Sequence, residues 1–196
     1  MLPVGRIMRR NDADANRHVL TVRAIKYTPM LIQFLQDALF SAIAAIGFSA
    51  ISNPPRRAIP VCALIAATGH SLRFLLMQTG FLQLHIVTAS TIAAALIGTL
   101  AVIISPKTKI PAETYLYPSL LPMIPGIYAY RTFGAMVMCL YQDGESGFNH
   151  YFHLFATNGM TCFFILLGMA VGATLPMFLM KDISFQATRH NTGTPG

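Results

Sequence analysis

Five apolar runs constrain this chain more than anything else in it. They cover about residues 30–51, 58–78, 84–104, 114–141 and 151–180, and each is near the roughly 20 residues that cross a bilayer as a helix. The reading is an all-α polytopic membrane protein of about five transmembrane helices over residues 29–181. It lies between a basic polar tail, residues 1–28, and a carboxy-terminal tail, residues 182–196, expected to be flexible. Composition agrees. Charged residues make up 11% of the 196 and hydrophobic ones 54%, whereas a soluble domain carries about 25% charged residues.

The formal charge of +7 sits mainly in the first tail and in short connections. Arg6, Arg9, Arg10, Arg17, Arg23 and Lys26 face only Asp12 and Asp14 there. That pattern suits membrane topology and anionic headgroups. With no tryptophan and no basic stripe interleaved with aromatics, nucleic acid is excluded as a partner. The first run is longer than a signal-peptide core of about 7–15 residues, so the tail is read as part of the mature chain. Cys62, Cys139 and Cys162 each stand alone in apolar surroundings and read as small buried hydrophobes. Basic residues at 56–57, at 107 and 109, and at 181 and 189 fall on one side of the bilayer. The connections 79–83 and 142–149 carry none. These loops predict a cytoplasmic carboxy terminus, although the basic amino-terminal tail argues the reverse.

The fourth run is interrupted. Pro118, Pro122, Pro125 and Gly126 lie within nine residues, and proline removes a backbone donor and clashes with the preceding turn. Broken backbone survives at membrane depth only beside protein or a water-filled cavity. The run is expected to be a broken helix that resumes near Gly126. Its free N–H groups and positive dipole end would then face a substrate carboxylate, with hydroxyls from Tyr128 and Tyr130 at hand. A mere kink packed by its neighbours is the plainer alternative.

Polar residues inside spans are costly and usually face the bundle interior. Asp37, His70, Arg73, Arg131 and Asn158 all fall roughly 9–15 Å below the same membrane face at 1.5 Å per residue. Together with Pro122, Pro125, Gly126 and Tyr128 they form the candidate site for an anionic or zwitterionic solute. His70 and Arg73 share a helical face, and a histidine there is suited to carry a coupling proton. Each residue also has a plain reading: Arg73 snorkelling, Asp37 as a structural counter-ion, His70 as a satisfied core residue. His150 and His153 have helical metal-ligand spacing without a further ligand, so no metal and no cofactor is expected. Gly168 and Gly172 make a GxxxG pair, a weak indication of a contact face. No phosphate loop, ATP-binding motif or catalytic triad is present, so the chain is read as no enzyme and any transport as gradient-driven.

Several of these stretches resemble one family. Gly47-Phe48, the run from Asn53 to Ala58, Cys62-Ala-Leu, Gly69-His70 with Arg73, and the run from Leu121 to Gly126 with Tyr128 and Tyr130 are similar to the carboxy-terminal half of the threonine/serine exporter family. That half also occurs as a separate small subunit. The resemblance spans about residues 31–180. It implies an inner-membrane exporter of small carboxylates, either hydroxy amino acids or dicarboxylates such as succinate. It also implies a larger membrane subunit bearing the other half, and an oligomer is compatible with it. Two rival readings stay open: a structural or assembly subunit without a substrate site, and an intramembrane enzyme using His70.

Overall fold

The computed structural model describes residues 30–78, 83–142 and 144–180; both expected tails, 1–28 and 182–196, lie outside them. The chain divides into two compact units, residues 1–36 and 37–196. Of the first, residues 30–36 are described, as the opening turns of a helix. Everything from Asp37 onward belongs to the second.

Among the described residues six helices follow one another: α1 Met30–Ser52, α2 Ile59–Met77, α3 Ile86–Thr108, α4 Ala112–Leu120, α5 Gly126–Leu140 and α6 Glu145–Leu179, with a 3-10 turn at Leu121–Met123. No strand occurs among the described residues. Among the described residues four helices, α1, α2, α3 and α6, are each long and apolar enough to cross a membrane. The fourth run is divided into α4, the turn and α5. The fold is thus an all-α polytopic membrane bundle with a broken fourth span.

Local chemistry sets the ends. Pro60 sits in the first turn of α2, where its missing N–H is one the helix leaves unpaired anyway. His85 caps α3 by accepting from Val87 N–H at 3.4 Å. Lys109 closes α3 in the left-handed region, φ 56°. Two helices run past their expected limits. α3 carries Pro106 and reaches Thr108, instead of stopping near 104. α6 starts at Glu145, where residues 142–149 were expected to be a connection. An acidic residue in the first turn suits the positive end of the helix, and Phe148 stacks on Phe152 one turn later, centroids 5.8 Å apart.

Helix α3 is the hub. Ala89, Ala93, Ala94, Ile97, Ala101 and Val102 are wholly buried, joined in one cluster (Ala89 apart) by Ala58 just before α2, Cys62 and Ile65 of α2, Tyr115 and Leu116 of α4, and Ile165, Met169 and Ala173 of α6. Lipid offers no hydrophobic drive for helices to associate, so close van der Waals approach must hold them. Glycine permits it. A Cβ on Gly172 would collide with the backbone carbonyl of Thr91, and one on Gly98 with that of Ala173. The Gly168–Gly172 pair, weak as a pattern, therefore forms the seam with α3, where Gly168 faces the Thr91 hydroxyl. By contrast α1 buries only Ser41, Ala45 and Ser49, one residue per turn.

Pro118 does not break its helix; it lies inside α4. A proline frees the carbonyl four residues earlier, here that of Thr114. The Cys62 thiol donates to that carbonyl at 3.7 Å, and Ser119 Oγ donates back to the Cys62 carbonyl at 2.9 Å. α2 thus satisfies what Pro118 leaves open, and Cys62 does more than fill space.

Candidate functional site

The interruption is confined to residues 121–125. After the 3-10 turn, Ile124 is extended, with φ −56° and ψ 131°, and its N–H bonds to the Leu121 carbonyl. Pro125 follows, and α5 begins at Gly126. The new helix start spends its amides locally. Gly126 N–H bonds to the Ile124 carbonyl at 2.8 Å, while Tyr128 and Ala129 N–H both reach the Pro125 carbonyl at 3.1 Å. The expected row of free N–H groups facing a ligand is therefore largely occupied by the break itself.

An arginine lies beside the break. Arg73, on α2, reaches across to the break and donates from Nη1 to the Met123 carbonyl at 3.4 Å. Its Nη2 lies 3.4 Å from His70 Nδ1, one turn back on the same helix. His70 Nδ1 is also 3.4 Å from Asp37 Oδ2 on α1. Among the described residues no carboxylate forms an ion pair with Arg73 itself. A guanidinium has five N–H donors in a planar fork, so these contacts leave bidentate capacity unused. His70 is 5% exposed, and its Nε2 has no hydrogen-bond partner among the described residues.

Two cavities meet at this cluster. The larger, about 570 Å³, is walled by Asp37, Arg73, Phe74, Pro122, Pro125, Gly126, Tyr128 and Ile165, among others. The smaller, about 510 Å³, is walled by Asp37, Phe40, Ser41, Phe48, His70 and Pro122, with neighbours from the same elements. Asp37, Pro122 and Ile124 stand in both walls. The first volume suits a small solute; ligand pockets generally measure about 300–1,000 Å³.

The nine residues singled out by sequence separate here. Asp37, His70, Arg73, Pro122, Pro125, Gly126 and Tyr128 gather around the two cavities. Arg131 and Asn158 wall neither. Arg131 is exposed, and Asn158 turns its amide to the Leu154 carbonyl of its own helix, at 2.7 Å. The reason is rotational. α5 and α6 approach each other where Thr132 meets Gly159, and adjacent helical residues point about 100° apart. Tyr130 is likewise 79% exposed. Sequence reasoning missed Phe74 and Ile165 in the wall and the Met123 carbonyl as a partner of Arg73. Apolar residues in apolar helices carry no signal that separates them from their neighbours. Among the described residues no group of three His, Cys, Asp or Glu is gathered to hold a metal ion.

The family model described as Threonine/Serine exporter, ThrE, matches residues 37–179, from Asp37 to the last residue of α6. An uncharacterized protein of Haemophilus influenzae is 33% identical over 153 residues, which cover 78% of this chain and 49% of the relative. The chain thus spans about half the length of the curated relative it matches. No solved structure matches it.

Proposed function

This multi-pass membrane protein belongs to the threonine/serine exporter family, and from that premise we propose that it forms one half of a gradient-driven exporter of small amino or organic acids. Threonine, serine and succinate are the substrate class. A larger membrane subunit carrying the other family half completes the path, and the chain resides in the inner membrane. The match to about half of a longer relative supports the division of labour. The family's description supports a transporter rather than an enzyme.

One observation carries the reading. Arg73 is a guanidinium at membrane depth, lining a cavity beside a helix break, with no carboxylate among the described residues in ion-pair contact. A charge inside a span is expensive unless partnered, and such residues mark substrate pathways. A small carboxylate entering the cavity supplies the bidentate partner that Arg73 lacks. Asp37 balances the charge nearby without occupying that position. The hydrogen-bonded break at 121–125 supplies a polar backbone wall where a continuous helix would present only side chains.

Counterflow in proteoliposomes tests this. Vesicles containing the chain with its copurified partner, preloaded with serine, should accumulate labelled threonine. Arg73→Ala should lower that rate about 100-fold, the loss expected for one charge-assisted bidentate contact. Equal rates for both proteins, at equal membrane content, would leave the structural-subunit reading standing instead.

A further inference from the structure

We propose that His70 determines which charge class of carboxylate the site accepts: zwitterionic amino acids when it is neutral, monocarboxylate anions when it is protonated. The inference rests on Arg73 being the carboxylate anchor and goes beyond it by giving His70 and Asp37 distinct tasks.

The geometry comes first. His70 Nδ1 stands 3.4 Å from both Asp37 Oδ2 and Arg73 Nη2. It cannot donate to the one and accept from the other at the same time, because a ring nitrogen is either donor or acceptor. With a hydrogen on Nδ1 it serves Asp37, and Arg73 keeps only the Met123 carbonyl. The opposite nitrogen, Nε2, is buried without a partner among the described residues, and the residue walls the second cavity. With the first hydrogen on Nδ1, protonation of the ring puts the second on this unengaged nitrogen.

Charge then decides the ligand. In a poorly screened site the bound state must be close to neutral as a whole. While His70 is neutral, the charges of Arg73 and Asp37 cancel, and the complement is a solute of no net charge with both signs. Its carboxylate goes to Arg73. Its ammonium goes to Asp37, whose side chain is 33% exposed and which stands in the same cavity wall as Arg73. When His70 takes a proton, the imidazolium cancels Asp37, and the cluster holds one net positive charge. The complement is then a single carboxylate without an ammonium. The other groups facing the cluster do not interfere: α3 and α6 contribute Ile86 and Ile165, and α5 contributes Tyr128, a neutral phenol. Among the described residues the second cavity adds no further titratable side chain.

Equilibrium binding of labelled L-serine and labelled L-lactate to the full chain, purified with any copurifying partner, tests this at about pH 8 and about pH 5, a range in which histidine titrates. Both probes keep their charge over that range. The ratio of lactate to serine affinity should rise about tenfold or more on acidification, the scale of one charged hydrogen bond. His70→Gln should prefer serine at both pH values, Asp37→Asn should prefer lactate at both, and Arg73→Ala should bind neither. A pH-independent ratio in the unaltered chain, or a pH shift surviving in His70→Gln, overturns the selector. If Arg73→Ala loses both ligands while His70→Gln keeps the shift, only the selector fails. If Arg73→Ala binds both as well as the unaltered chain, the anchor fails with it. Unfolding midpoints of each variant identify one that does not fold, and the pH ratio of the unaltered chain decides without any variant.

Discussion

The seam between α3 and α6 and the cluster around residues 121–125 lie in one small bundle and follow opposite rules. In the seam, glycine and alanine bring backbones together until a single added methyl would strike a carbonyl. Around the break, two prolines, an arginine, a histidine and an aspartate leave two cavities and, among the described residues, an unpartnered ring nitrogen. One region gains from every contact it closes, the other from the contacts it leaves open. Stability and substrate handling are therefore expected to separate on mutation.

The largest expected effect sharpens this contrast from the seam. Gly172→Leu drives a side chain into the Thr91 carbonyl and should cost about 3 kcal/mol or prevent folding, the upper end for overpacking. Thermal unfolding in detergent measures it. An unchanged midpoint would show that the seam is loose. Next is the break. Pro125→Ala restores a backbone donor where the helix is interrupted, so it should preserve or raise the unfolding midpoint while lowering counterflow about tenfold. A fall in both would erase the contrast.

A third test lies on the border between the regions. Cys62→Ala leaves the Thr114 carbonyl, freed by Pro118, without its thiol donor, and should cost about 1 kcal/mol. Cys62→Ser keeps a donor and should recover most of it in the same unfolding assay. The smallest effects belong to Arg131→Gln and Asn158→Ala. Both residues turn away from the cavities, so each should change stability by less than about 0.5 kcal/mol and leave counterflow unchanged. A large loss of flux in either would move the site.

Much of this was readable in the sequence, for definable reasons. Span positions follow from hydropathy, because lipid penalises every interruption. The level at which Asp37, His70 and Arg73 meet follows from a fixed rise per residue. Rotation does not follow. Depth alone put Arg131 and Asn158 at the same level, yet Thr132 and Gly159 are the residues that meet, and their neighbours turn away. Pro118 was illegible for a related reason. Whether a proline opens a helix depends on who takes the carbonyl it frees, and here that is a cysteine 52 positions away in sequence. The Glu145 start of α6 was hidden because a polar, glycine-bearing stretch reads as a loop until its first turn is seen.

The central claim is that Arg73 holds a solute carboxylate in the cavity beside the break. Ligand-induced stabilisation tests it most directly. A ligand that binds only the folded chain, present at ten times its Kd, stabilises it by about 1.4 kcal/mol. Serine or threonine should raise the unfolding midpoint of the unaltered chain accordingly, and should leave Arg73→Gln where it stands without ligand. An equal rise in both proteins would contradict the account.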